Sequence, residues 1–109
     1  MGTIMTADPA IVEILRQRFE LVRALSQVNA RHLLHRQAGG GAEIEALGWA
    51  EEIRQQGPSA ERLAALEAAE TRIECEREAV KACDAEIAGL EADLEELDRR
   101  IGENRPTAG

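Results

Sequence analysis

The sequence predicts an all-α protein, a long antiparallel helical hairpin or coiled coil whose first arm is broken. Three observations carry that prediction. From Leu66 onward a large apolar residue recurs every seventh position, through Ile73, Val80, Ile87, Leu94 and Ile101. Three residues after each of the first five stand Ala69, Glu76, Cys83, Leu90 and Leu97, so Glu76 alone is charged in a two-position heptad seam. Midway along the chain, Gly57-Pro58-Ser59 reads as the end of one helix and the start of the next. Finally, Ala, Glu, Arg and Leu dominate, and Phe19 and Trp49 are the only aromatic residues. That composition favours helix over sheet and provides little for a thick core.

The first helix is expected over residues 8–37. Asp8 is a good N-cap, and Pro9 then takes the first helical position, where its missing N–H costs nothing. Two apolar stripes run along this helix. Ile14, Leu21 and Val28 recur at intervals of seven, with Leu25 between them, while Val12, Leu15, Phe19 and Val22 form a second stripe. A helix that is apolar on more than one face needs more than one neighbour. Arg31, His32, His35 and Arg36 suit the negative end of its dipole.

Gly39-Gly40-Gly41 is expected to end that helix as a hinge, because each glycine costs a helix about 1 kcal/mol relative to Ala. The run lacks the Gly-x-Gly-x-x-Gly pattern and the following Lys-Ser/Thr of a phosphate loop. A second helix then spans 43–56. It either extends the first arm or packs aside to give three helices. The third spans 59–102. Residues 1–7 and 103–109 are expected to be disordered, leaving one domain over 8–102.

Charge selects the pairing. Around the third helix, Arg72, Glu86 and Asp93 would face Arg77, Glu91 and Asp98 of a second copy in a parallel zipper, all like-charge pairs. The Arg-bearing first helix is the better partner. Residues 1–40 carry five Arg against three acids, whereas residues 41–109 carry eight basic residues against 18 acids. A strongly acidic majority repels phosphates, which argues against nucleic acid as a ligand.

Targeting signals are sparse. The chain has no apolar run long enough for a membrane span. Its first residues lack the basic and apolar regions of a secretory signal. Met1-Gly2-Thr3-Ile4-Met5-Thr6 matches the loose myristoylation pattern, but one acyl chain with no adjoining basic patch anchors weakly, and Met5 can equally be an alternative start. Lys81 is the only Lys among 13 basic residues, a composition of the GC-rich bacterial kind. A cytoplasmic setting follows as an expectation.

Candidate chemistry is limited. Cys75 and Cys83 lie eight residues apart on one helix, about 12 Å at about 1.5 Å per residue. That exceeds the roughly 7 Å a disulfide spans, and nothing implies an oxidising compartment. With a turn at residue 57, His32 would face Cys83 and His35 would face Val80. Two imidazoles and a thiolate are reasonable ligands for a first-row metal, although a fourth is missing unless Glu76 or Glu86 supplies it. The competing reading makes the histidines a helix-end cap and Cys83 a small core residue. Cys75, between Glu74 and Glu76, sits in the wrong setting for a thiolate nucleophile. No nucleophile–base–acid spacing is present, so neither catalysis nor a cofactor is expected.

The function these residues predict is non-enzymatic: a protein–protein interaction module of the adaptor, assembly-factor or secretion-chaperone kind, acting on a protein partner or as a homo-oligomer. The coiled-coil seam would be Leu66, Ile73, Val80, Cys83, Ile87, Leu90, Leu94, Leu97 and Ile101. The partner-binding stripe would be Val12, Leu15, Phe19 and Val22, with Gly39, Gly40 and Gly41 as hinge. One alternative is a small oligomeric nucleic-acid-handling subunit, such as the small subunit of a phage-type DNA-packaging machine, using Arg31 and Arg36. The other is a metal or redox protein using His32, His35 and Cys83.

Overall fold

The structure, a computed structural model, describes residues 8–103. Two α-helices make a helical hairpin: α1 spans Pro9–Gln56 and α2 spans Ala60–Glu103. Of the expected disordered segments 1–7 and 103–109, residues 1–7 and 104–109 lie outside the described residues. Glu103, expected in the tail, closes α2 instead.

Each helix end has a local cause. Asp8 caps α1: its Oδ1 accepts the N–H of Ala10 at 2.9 Å, and its carbonyl accepts the N–H of Val12 at 3.0 Å. Gly57 ends α1 with φ at +83°, a left-handed geometry that side chains with a Cβ disfavour. Its N–H still donates to the Ile53 carbonyl at 2.8 Å. Ser59 then caps α2, its Oγ accepting the N–H of Arg62 at 3.1 Å. The Arg62 guanidinium reaches back across the turn, donating to the Gly57 carbonyl at 3.2 Å and to Gln56 Oε1 at 3.3 Å. One backbone carbonyl just past the end of α1 is thereby satisfied from the next helix.

The expected break at Gly39–Gly41 does not occur, and α1 runs through it without interruption. The physical reason lies in α2. Ending a helix frees about four carbonyls on one side and about four N–H groups on the other, a larger penalty than the glycines' propensity. The same heptad that gives Ile14, Leu21 and Val28 continues through His35, Ala42 and Trp49, all buried or half-buried. A parallel series, Ile11, Arg18, Leu25, His32, Gly39, Ala46 and Ile53, is half-buried throughout. Gly39 therefore sits on the seam, where a Cβ would stand 3.4 Å from the Cβ of Glu76. Glycine here admits a close neighbour.

The described residues form two compact units. The first comprises residues 8–28 with 86–103, and the second comprises Asn29–Ala85 with the turn. In the first unit Ile14, Val28 and Leu97 are buried, and Ile87, Leu90, Leu94 and Ile101 are half-buried. In the second, Ala42, Ala69 and Cys83 are buried, and Leu66, Ile73 and Val80 are half-buried. Val28 is the largest side chain that is fully buried. Each unit is a single seam between two helices, and one seam leaves the outer faces of both helices to solvent.

Candidate interaction surfaces

In the first unit the seam covers the Ile14–Leu21–Val28 stripe and leaves the other stripe bare. Val12, Leu15, Phe19 and Val22 are 50, 50, 65 and 42% exposed. Their spacing of three, four and three residues places them on one side of α1. Arg16 follows Val12 by one turn, Arg23 follows Phe19 by one turn, and Arg18 precedes Val22 by one turn. At about 100° per residue these three are the charges of α1 nearest the stripe, while Glu13 and Glu20 lie further round. Arg18 Nε donates to Asp98 Oδ1 on α2 at 2.7 Å, tying this flank to the seam. Arg16 donates to Glu13 through Nε at 3.0 Å and through Nη2 at 2.6 Å. That pair, helped by Gln17, holds the Glu13 carboxyl down at about 2 and raises the Arg16 pKa.

The second unit presents its own exposed apolar side chains. On α1 these are Leu33, Leu34, Ile44 and Leu47, the last two more than 70% exposed, and on α2 there is Leu63. Gly40, Gly41 and Gly48 share this part of α1, and a Cβ at any of them would meet nothing within 4 Å. Residues 43–54 carry four Glu and one Arg. Glu51 takes two hydrogen bonds from Arg54 and one from Gln55; the arginine chiefly lowers its pKa. Glu45 pairs with Arg72, and Glu43 lies 3.8 Å from Arg77, so α2 steadies this rim from the side.

The histidines answer to acids. His32 Nε2 donates to Asp84 Oδ1 at 2.8 Å, and His35 Nδ1 donates to Glu76 Oε2 at 2.7 Å. The expected register put them against Cys83 and Val80. His32 reaches one residue further along α2, and His35 reaches one turn back towards the connecting loop. His35 thereby explains the single charge in the α2 seam: Glu76 occupies its position because an imidazole crosses the seam to meet it. Cys83 is buried, and Cys75 is exposed; both are free thiols. Among the described residues no group of three or more His, Cys, Asp or Glu is placed to hold a metal ion. The candidate ligand set of His32, His35 and Cys83 is therefore not assembled, because both imidazoles turn to carboxylates instead.

Sequence reasoning missed the Arg62 clamp at the turn and the acid partners of both histidines. A signal for Glu76 was available: a lone acid in an apolar seam demands a cation or donor opposite. None of the helices among the described residues is long and apolar enough to cross a membrane. No protein-family model matches the chain, and neither a curated protein nor a solved structure matches it.

Proposed function

We propose that the chain is a non-enzymatic protein–protein interaction module, of the adaptor, assembly-factor or secretion-chaperone kind, working through the outer face of its hairpin. One observation carries this reading. In the first unit the two helices already pair through the seam that buries Ile14, Val28 and Leu97, yet four apolar side chains at helical spacing remain exposed beside it. Single exposed apolar residues are ordinary on protein surfaces, but a contiguous row marks a surface that another chain covers. The row has the spacing of a helix-in-groove or helix-on-helix contact, with anchors one turn apart.

The hairpin supplies rigidity rather than chemistry. A pre-formed helix face loses little conformational freedom when its partner arrives, which lowers the ordering cost of binding. Ion pairs such as Arg18–Asp98 orient the face without covering it.

Site-specific photo-cross-linking in living cells tests the proposal. A photoreactive residue at position 19 is expected to give discrete adducts, and one at position 20, exposed but on the charged side, is expected to give none. Equal labelling from both positions, or no adduct from either, would overturn it.

A further inference from the structure

We propose that the chain covering these faces is a second copy. The copies associate through antiparallel α1 helices, and the arginine-rimmed stripe of the first unit meets the acid-rimmed face of the other copy's second unit. This rests on the reading of the stripe as an interaction surface and names its occupant.

Charge selects that pairing over the alternatives. Residues 12–23 carry three Arg to two Glu, and the charges nearest the apolar stripe are Arg16, Arg18 and Arg23. Within residues 43–54 the charges nearest Ile44 and Leu47 are Glu43, Glu51 and Arg54, a net acidic rim. Setting the stripe against itself would bring arginine against arginine, and setting residues 43–54 against themselves would bring glutamate against glutamate. Like charges across a contact penalise it. α2 of a second copy is acidic but offers no apolar row, since Leu63 is its only large exposed apolar residue among the described residues. Only the mixed contact joins apolar to apolar and opposite to opposite charge.

The register agrees. When antiparallel helices are aligned with Phe19 level with Leu47 of the second copy, Val22 comes level with its Ile44 and Arg23 with its Glu43. Arg16 then lies within a residue of Glu51. The alignment is its own reverse, so each copy gives and receives the same contact, as a closed two-fold dimer requires.

Light scattering on the reduced protein tests the assignment. The wild-type chain is expected at twice 11.9 kDa. R16E/R23E turns both faces acidic, and E43R/E51R turns both basic. Each variant alone is expected to lose at least about tenfold in self-affinity and to run as a monomer at the same loading. An equimolar mixture of the two restores both contacts and is expected to return the doubled mass. Circular dichroism checks that each variant keeps its helicity; if either unfolds, R23E and E43R carry the same test. A wild-type monomer, a dimer indifferent to both reversals, or a mixture that stays monomeric would overturn the second-copy assignment. The cross-linking result separates this failure from that of the underlying reading. Adducts from position 19 to other proteins alone remove the second copy and keep the interaction module, whereas no adduct at all removes both.

Discussion

Replacing Gly40 and Gly41 by Ala tests the continuity of α1 directly. Both positions are helical, neither has a positive φ, and a Cβ at either meets nothing within 4 Å. The substitution therefore adds no clash and removes backbone freedom from the unfolded chain. In an exposed helix interior each Gly-to-Ala change stabilises by about 1 kcal/mol, so G40A/G41A is expected to gain about 2 kcal/mol. An unfolding entropy of about 2.1 cal/mol/K per residue gives about 0.23 kcal/mol/K for a chain of this length. The melting midpoint should then rise by about 9 °C. Thermal and urea melts followed at 222 nm read this, repeated at two protein concentrations to separate stability from association. G57A is the internal contrast: its φ of +83° makes a Cβ strained, so it is expected to lose about 1 kcal/mol. A G40A/G41A variant that melts at or below the wild-type temperature would refute the reasoning, since it would mean that these residues leave the helical region.

Three further outcomes are expected. Removing one member of the His35–Glu76 pair, as in H35A, should cost on the order of 1 kcal/mol by leaving a half-buried carboxylate without its donor, whereas H35L/E76L should recover that loss; a double-mutant cycle with no coupling would contradict the pairing. The native protein should react with a thiol reagent at one site, Cys75, and at two after denaturation, because Cys83 is 3% exposed; rapid labelling of both in the native state would contradict the seam. Acid should weaken the start of α1: the Glu13 carboxylate titrates at about 2 rather than its ordinary 4.5, so its contribution is full above about 4.5 and is lost as the pH falls towards 2. Carboxyl NMR should show that low midpoint, with R16Q moving it upward, and a midpoint near the ordinary value would remove the Arg16–Glu13 hydrogen bonds as its cause.

Much of the hairpin was legible in the residues. A seven-residue apolar repeat has only one economical reading, a helix laid along another helix, and the period alone located the α2 seam. Gly57, Pro58 and Ser59 marked the turn because each has a narrow backbone or capping preference. Asp8 and Pro9 marked the start for the same reason. The two stripes of α1 were also visible, since helical spacing sorts side chains into faces. The residues mark Val12, Leu15, Phe19 and Val22 as the outward stripe, and these four side chains are exposed.

Tertiary structure decided what local preference could not. Glycine propensity is a local energy of about 1 kcal/mol per residue, and it was outweighed by the backbone hydrogen bonds within a continuous α1 and by its seam contacts with α2. Register across the hairpin depends on the summed fit of both helices. Hence Asp84 and Glu76, rather than Cys83 and Val80, became the partners of the histidines. Packing against α2 buries Ile14 and Val28 and half-buries Leu21, and leaves Val12, Leu15, Phe19 and Val22 outside. Periodicity identifies faces, but only the packed partner determines which face is covered.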